Sequence, residues 1–249
     1  MNEEIGQKVF QQVMDIFVNP EIERRKKDGK IKNGFTLRAA QIILSRDKGN
    51  FTRLNEEVKA VAKSIAAKPI KKNDLVFEED IKNIESIELI GEDKNCAHIT
   101  LLLFKNQWLI FTDFRYDKED SKKHISASKE FYDSATENLK NQRLRPFYEN
   151  SFAAAELATK ASLMLFIDKK NLNNHENRTK YLGKWAELGN IPKVFSDTLK
   201  KLATNLRYSA RYLEGNDFER EDHDKIIAVI KEMIAYSEKI IGEESKNEI

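Results

Sequence analysis

Phe152-Ala153-Ala154-Ala155-Glu156-Leu157-Ala158-Thr159-Lys160-Ala161-Ser162-Leu163-Met164-Leu165-Phe166 reads as the central helix of an all-helical half. Its small residues give a strip on which a neighbouring helix can approach closely. Glu156 and Lys160 stand four apart with the acid first, the order in which such a pair meets on a helix surface. Pro146 fits as an early residue of the same helix. Upstream, Ser126 or Ser128 is expected to cap a helix containing Phe131, Ala135 and Leu139. Downstream, Asp168 to Asn174 is a polar break. A shorter helix follows around Lys180 to Leu188, broken by Gly189-Asn190. Pro192 then opens a helix with Phe195, Leu199, Leu202 and Leu206 at bundle spacing. Gly215-Asn216-Asp217 ends it, and a last helix carries Ile226 or Ile227, Ile230, Met233 or Ile234, and Ile241. Four or five helices with short connections predict a bundle.

The first half has a different texture. Val9, Phe10, Val13 and Phe17 recur at helical spacing, and Pro20 is the expected stop. Phe35 to Leu44 and Phe51 to Val61 contain strand patterns, separated by the turn residues Asp47-Lys48-Gly49-Asn50. Ile84 to Ile90 alternates. Ala97 to Phe104 and Trp108 to Phe114 flank Lys105-Asn106-Gln107, a hairpin pattern. The apolar runs Leu101-Leu102-Leu103 and Leu109-Ile110-Phe111 suggest a sheet of four or five strands covered on both faces. Asp117 to Lys123 has no large apolar residue and reads as a charged bridge. The fold class is therefore α+β. A mixed domain with a small, mainly antiparallel sheet spans 1–120, and an all-α bundle of four or five helices spans 121–249.

Composition narrows the function classes. Of 249 residues, 40% are hydrophobic and 34% charged, with four prolines and nine glycines, so the chain is globular. With 43 Lys and Arg against 41 Asp and Glu, the net charge is +2, and nucleic-acid binding would need a local patch. One candidate is Glu23 to Lys32, which reads either as a solvated helix end or as a phosphate-contacting run. Cys96 is the only cysteine, which excludes an internal disulfide and fits a buried small residue in a reducing compartment. The longest apolar run is far short of a membrane span, and the acidic start lacks a signal peptide's basic region. A cytoplasmic protein is expected.

The sequence has no glycine-rich phosphate loop, nucleophile elbow or zinc-ligand spacing, so no metal and no cofactor is expected. Leu206-Arg207-Tyr208-Ser209-Ala210-Arg211-Tyr212 is the strongest site candidate. Arg207 and Arg211 are one helical turn apart, a spacing at which two guanidiniums can grip a phosphate while Tyr208 and Tyr212 pack on a base. The alternative is that both arginines lie over the bundle or pair with Glu156, Glu214 or Glu219. His98 fits a satisfied core histidine, and His124 a solvated one. Glu221-Asp222-His223-Asp224 fits an acidic helix start better than a metal site. His175 begins a polar cluster at a helix start, where capping is the plain expectation and phosphate contact the functional one.

Residues 126 to 242 resemble the HEPN domain, named for higher eukaryotes and prokaryotes nucleotide binding. Phe152 to Ala161 looks like its second-helix pattern, His175 precedes a short helix as in many members, and Leu206 to Tyr212 looks like its arginine segment. The resemblance implies RNA or a nucleotide as ligand and a homodimer formed through the helical bundle. It also implies a bacterial defence or toxin–antitoxin context. Many active members are metal-independent endoribonucleases with an arginine, four to six residues, then a histidine. Counting from Arg207 reaches Tyr212, Leu213 and Glu214; counting from Arg211 reaches Asn216, Asp217 and Phe218. Neither arginine has its histidine. The expectation is an RNA- or nucleotide-binding module that lacks the usual ribonuclease motif. Its phosphate or RNA contacts would be Arg207, Arg211, Tyr208, Tyr212 and His175. The alternatives are an endoribonuclease with a rearranged site and a dimeric scaffold protein. The first half also resembles an uncharacterised bacterial domain with a Pro-Glu-Ile segment, here Pro20-Glu21-Ile22, a resemblance that brings no known chemistry; in the binding-module reading this half acts as a partner or ligand sensor.

Overall fold

A computed structural model describes residues 3–206, 210 and 222–242 of the chain. They form two compact units, one ending at Arg115 and the other beginning at Tyr116. None of the described helices is long and apolar enough to cross a membrane.

In the first unit, α1 (Glu3–Val13) does not stop at Pro20. It runs through a π turn (Met14–Val18) into α2 (Asn19–Lys27). Proline lacks an N–H and crowds the carbonyl four residues back, which breaks an ordinary helix. Here the Asn19 N–H reaches five residues back to the Met14 carbonyl, and this wider turn admits Pro20 at the start of α2.

Buried Val13 and Val18 pack on one face of a four-stranded antiparallel sheet, with Ala40, Ile42, Leu54, Ile99, Leu101 and Ile110 beneath them. Its strands are β1 (Ala39–Leu44), β2 (Phe51–Leu54), β5 (Ala97–Phe104) and β6 (Gln107–Asp113), in the order β2-β1-β5-β6. β5 and β6 are joined by two residues, Lys105 and Asn106, whose φ values of 49° and 60° match the twist of a tight hairpin.

The opposite face is buried but polar. Gln41 accepts from Arg53 at 3.0 Å and from the Lys59 N–H at 3.3 Å, and Arg53 pairs with Asp93 at 2.7 Å. His98 hydrogen-bonds Thr100 at 3.0 Å, a satisfied core histidine as its apolar strand suggested. Apolar runs therefore marked burial correctly but not the chemistry of this second face. Cys96 is half-buried at the end of a short turn before β5, not within the strand. β3 (Ala60–Ala66) and β4 (Ile81–Leu89) form a separate two-stranded ribbon.

The basic run is not a free patch at its arginines. Arg25 donates to Glu21 at 2.6 Å, to Glu57 at 2.7 Å and to the Thr52 carbonyl at 2.9 Å, while Arg24 grips Glu21 and Asp28. These bonds, with that from Arg24 foremost, hold the Glu21 carboxyl at about 2.

The first helix of the second unit is α3 (Lys118–Lys140), so the charged stretch is helix from Lys118 onward, with Asp117 as its cap, not a bridge. Lysine and glutamate are good helix formers, and Glu119–Lys122 and Asp120–Lys123 pair along the surface. Ser126 and Ser128 are accordingly helix interior, not caps. Next come α4 (Leu144–Met164), α5 (His175–Glu187) and α6 (Lys193–Lys201), which continues as a π turn through Leu206, and then α7 (His223–Gly242). α4 is the centre: Ala154, Ala155, Ala158 and Ala161 are fully buried. α3 comes close enough for Ser128 and Ser121 to donate to the carbonyls of Ala154 at 2.7 Å and Ala161 at 2.6 Å. From α7, Ser237 donates to the Ala158 carbonyl at 3.1 Å.

Two measurements check this packing. Ala154→Leu puts a large side chain where two helix backbones nearly touch, and urea unfolding should show a loss of at least about 1–3 kcal/mol. Glu21 has a folded pKa below its unfolded one, so its contribution is complete above about pH 4.5 and lost as pH falls toward 2. Thermal melts of the chain should weaken through that window, and Glu21→Gln should flatten this part of the pH dependence.

Candidate functional site

Arg207, Tyr208, Arg211 and Tyr212 lie outside the described residues. Their neighbours Leu206 and Ala210 are buried in the bundle core, and the Ala210 carbonyl accepts from Arg145 at 3.1 Å. His175, the remaining candidate, is described, and it stands at the centre of a polar cluster on the bundle.

α5 starts where Asn174 accepts the Asn177 N–H at 2.8 Å, so Asn174 is the cap and His175 the first helical residue. The His175 ring packs 5.6 Å from Phe152 of α4. Its Nδ1 hydrogen-bonds Glu156, also of α4. A carboxylate accepts, so Nδ1 is the donor of this bond. The same Glu156 oxygen accepts from Arg178 at 2.6 Å. Arg178 spends its other edges on the backbone carbonyls of Leu172 at 2.7 Å and Asn173 at 3.1 Å. Glu156 and Arg178 are nearly buried, at 12% and 11% exposed, whereas His175 is 58% exposed. The buried pair thus positions an exposed imidazole.

Glu156 does not pair with Lys160 as their spacing suggested. Arg178 and His175 hold it, because contacts between α4 and α5 override the contact along α4. Burial, and after it the charge of Arg178, pushes the Lys160 ammonium below its usual range. Helical spacing within one element carries no sign of this cross-helix hub, so Glu156 and Arg178 escaped sequence reasoning as site residues. Their only signal was a polar cluster, His175 to Arg178, following a helix with one buried-side acid.

The other histidines do not join the cluster. His124 donates from Nδ1 to the Asp120 carbonyl, 2.8 Å away. His223 begins α7 with its ring edge-on to Phe147 at 5.4 Å. A groove of about 230 Å³ runs between α5 and α6, lined by Thr179, Ser196, Asp197, Lys193 and Lys200 among others.

Residues 121–240 match the family model of the HEPN domain. The C-terminal half is a HEPN domain. The match covers nearly all of α3 to α7, the five described helices of the second unit. No curated protein and no solved structure matches the chain. HEPN domains are known for ribonuclease and nucleotide-related roles.

Arg178→Lys tests the hub. Lysine cannot serve three acceptors in one plane. Stability should fall by about 1–3 kcal/mol, and hydrogen exchange at residues 171–179 should accelerate more than in α3.

Proposed function

We propose that the HEPN domain of this chain is an RNA- or nucleotide-binding module that works without the usual ribonuclease motif. The observation that carries this reading is the exposed His175 imidazole, held by the buried Glu156–Arg178 pair within a HEPN domain. A side chain whose orientation is fixed before binding loses less entropy on contact with a ligand. Arg207 and Arg211 supply the cations that the phosphate requires, and Tyr208 and Tyr212 the stacking surfaces. Lys193 and Lys200 on the α5–α6 groove add positive charge beside them in sequence order. The missing histidine after either arginine argues against the usual ribonuclease arrangement.

In this reading the domain forms a homodimer through its bundle, as the family resemblance implies. The N-terminal half senses a partner or ligand, and the protein works in the cytoplasm within a bacterial defence or toxin–antitoxin system.

One observation favours a second reading. A carboxylate-oriented histidine is also how a general base is held in place. A rearranged, metal-independent ribonuclease would use His175 to take the proton from the ribose 2′-hydroxyl.

A mixed single-stranded RNA pool with chelator present separates the two. The binding module retards RNA without shortening it, its affinity falls steeply between 50 and 200 mM salt, and Arg207→Ala weakens binding about tenfold or more. Fragments that appear with the native chain and vanish with His175→Ala would establish the enzyme instead. Neither binding nor cleavage would leave only a scaffold role.

A further inference from the structure

The ribbon of β3 and β4 is built asymmetrically. On β4, Ile84, Ser86 and Leu89 are buried. On β3, residues 61–66 are all exposed, with Val61 at 57% and Ile65 at 43%. β3 pairs with β4 along one edge only, and no other described strand or turn bonds to its backbone. A seven-residue strand with one open edge therefore presents a row of unpaired N–H and C=O groups.

Proteins usually blunt such an edge with proline, bulges or charge. Here both irregularities in the ladder fall on β4, where Glu85 and Lys82 are the residues without an opposite number, so β3 keeps a regular outline. Its one charge, Lys63, is already turned to Glu85 at 3.4 Å. The ribbon is also held in shape beyond the strand, since Lys68 pairs with Asp80 at 2.5 Å and the Ala67 N–H donates to the Asp80 carbonyl at 2.7 Å.

What fits this edge is written in its order of residues. Ala60-Val61-Ala62-Lys63-Ser64-Ile65-Ala66 is nearly symmetric about Lys63: small, β-branched, small, lysine, small, β-branched, small. Turned by a two-fold axis through Lys63, it places Val61 against Ile65 of the second copy, Ala62 against Ser64, and Ala60 against Ala66. A two-fold interface requires this self-complementarity, residue i meeting j while j meets i. β-branched residues directly opposite each other are favoured cross-strand pairs. The two central lysines are like charges, but each brings its own Glu85, so the row Glu85–Lys63–Lys63–Glu85 across the axis sums to zero.

We propose that β3 is a pairing edge for a second copy of this chain, joining the two ribbons into one four-stranded antiparallel sheet, β4-β3-β3-β4. The ladder would add about six backbone hydrogen bonds over a small area, so the association is concentration-dependent rather than obligate. It is distinct from the bundle dimer of the proposed function and does not depend on it.

Disulfide trapping of the full chain tests the register, with the native chain and its only cysteine, Cys96, as control. Lys63→Cys lies on the axis, so two copies should cross-link under mild oxidation, and Val61→Cys alone should do so at least about tenfold more slowly, because its opposite number is Ile65. Sedimentation equilibrium supplies the second readout. Val61→Lys with Ile65→Lys sets lysine against lysine and should weaken self-association at least about tenfold, while Val61→Glu with Ile65→Lys sets opposite charges together and should restore it. All these positions are exposed, and circular dichroism checks that the fold is kept. A chain that stays monomeric at 0.5 mM overturns the proposal. So does a dimer indifferent to both charge pairs with no preference for cross-linking at 63, which would assign the contact to another surface.

Discussion

The close approach of α3 to α4 is the constraint on which the helical half depends. Two helix backbones can come this near only where side chains are absent or bond to the opposing backbone. Ala154, Ala155, Ala158 and Ala161 meet the first condition, and Ser121 and Ser128 the second, by donating to α4 carbonyls. Each hydroxyl is buried and would be costly unpaired, so the pair of bonds also fixes the rotation of α3 against α4. Ser237 does the same from α7. From this enclosed helix, Glu156 reaches across to α5.

That placement explains why a single glutamate organises the site. A carboxylate at 12% exposure is stabilised only by strong donors, and Arg178 meets it with a guanidinium whose other edges bind the turn before α5. The turn, the helix start and the His175 ring are thereby set by one buried pair. Arg207, Tyr208, Arg211 and Tyr212 lie outside the described residues. Among the described residues, His175 is the sequence-derived candidate, and its ring is exposed beside Glu156.

Much of the fold was legible because it rests on local signals. The small-residue run of α4, the hairpin at Lys105-Asn106 and Pro192 before α6 each carry their own signature. What was hidden depended on contacts between elements. Pro20 reads as a stop unless the π turn that accommodates it is known. Asp117 to Lys123 reads as a bridge because nothing in it is apolar, although serines, not large residues, are what this interface buries. Gln41 and Arg53 satisfy one another across strands, and His98 bonds Thr100 on its own strand, an arrangement that no alternation pattern announces. At the site, His175 was visible by its place at a helix start, and Glu156 and Arg178 were not, because the hub they form joins two helices.

We propose that the HEPN half contacts RNA through the arginine segment and the face that carries His175. Ultraviolet cross-linking of the native chain to uridine-rich single-stranded RNA, followed by peptide mass spectrometry, addresses it most directly. Adducts are expected at Tyr208 or Tyr212 and on peptides spanning Phe152 to Arg178. Adducts confined to residues 3–115 would contradict it.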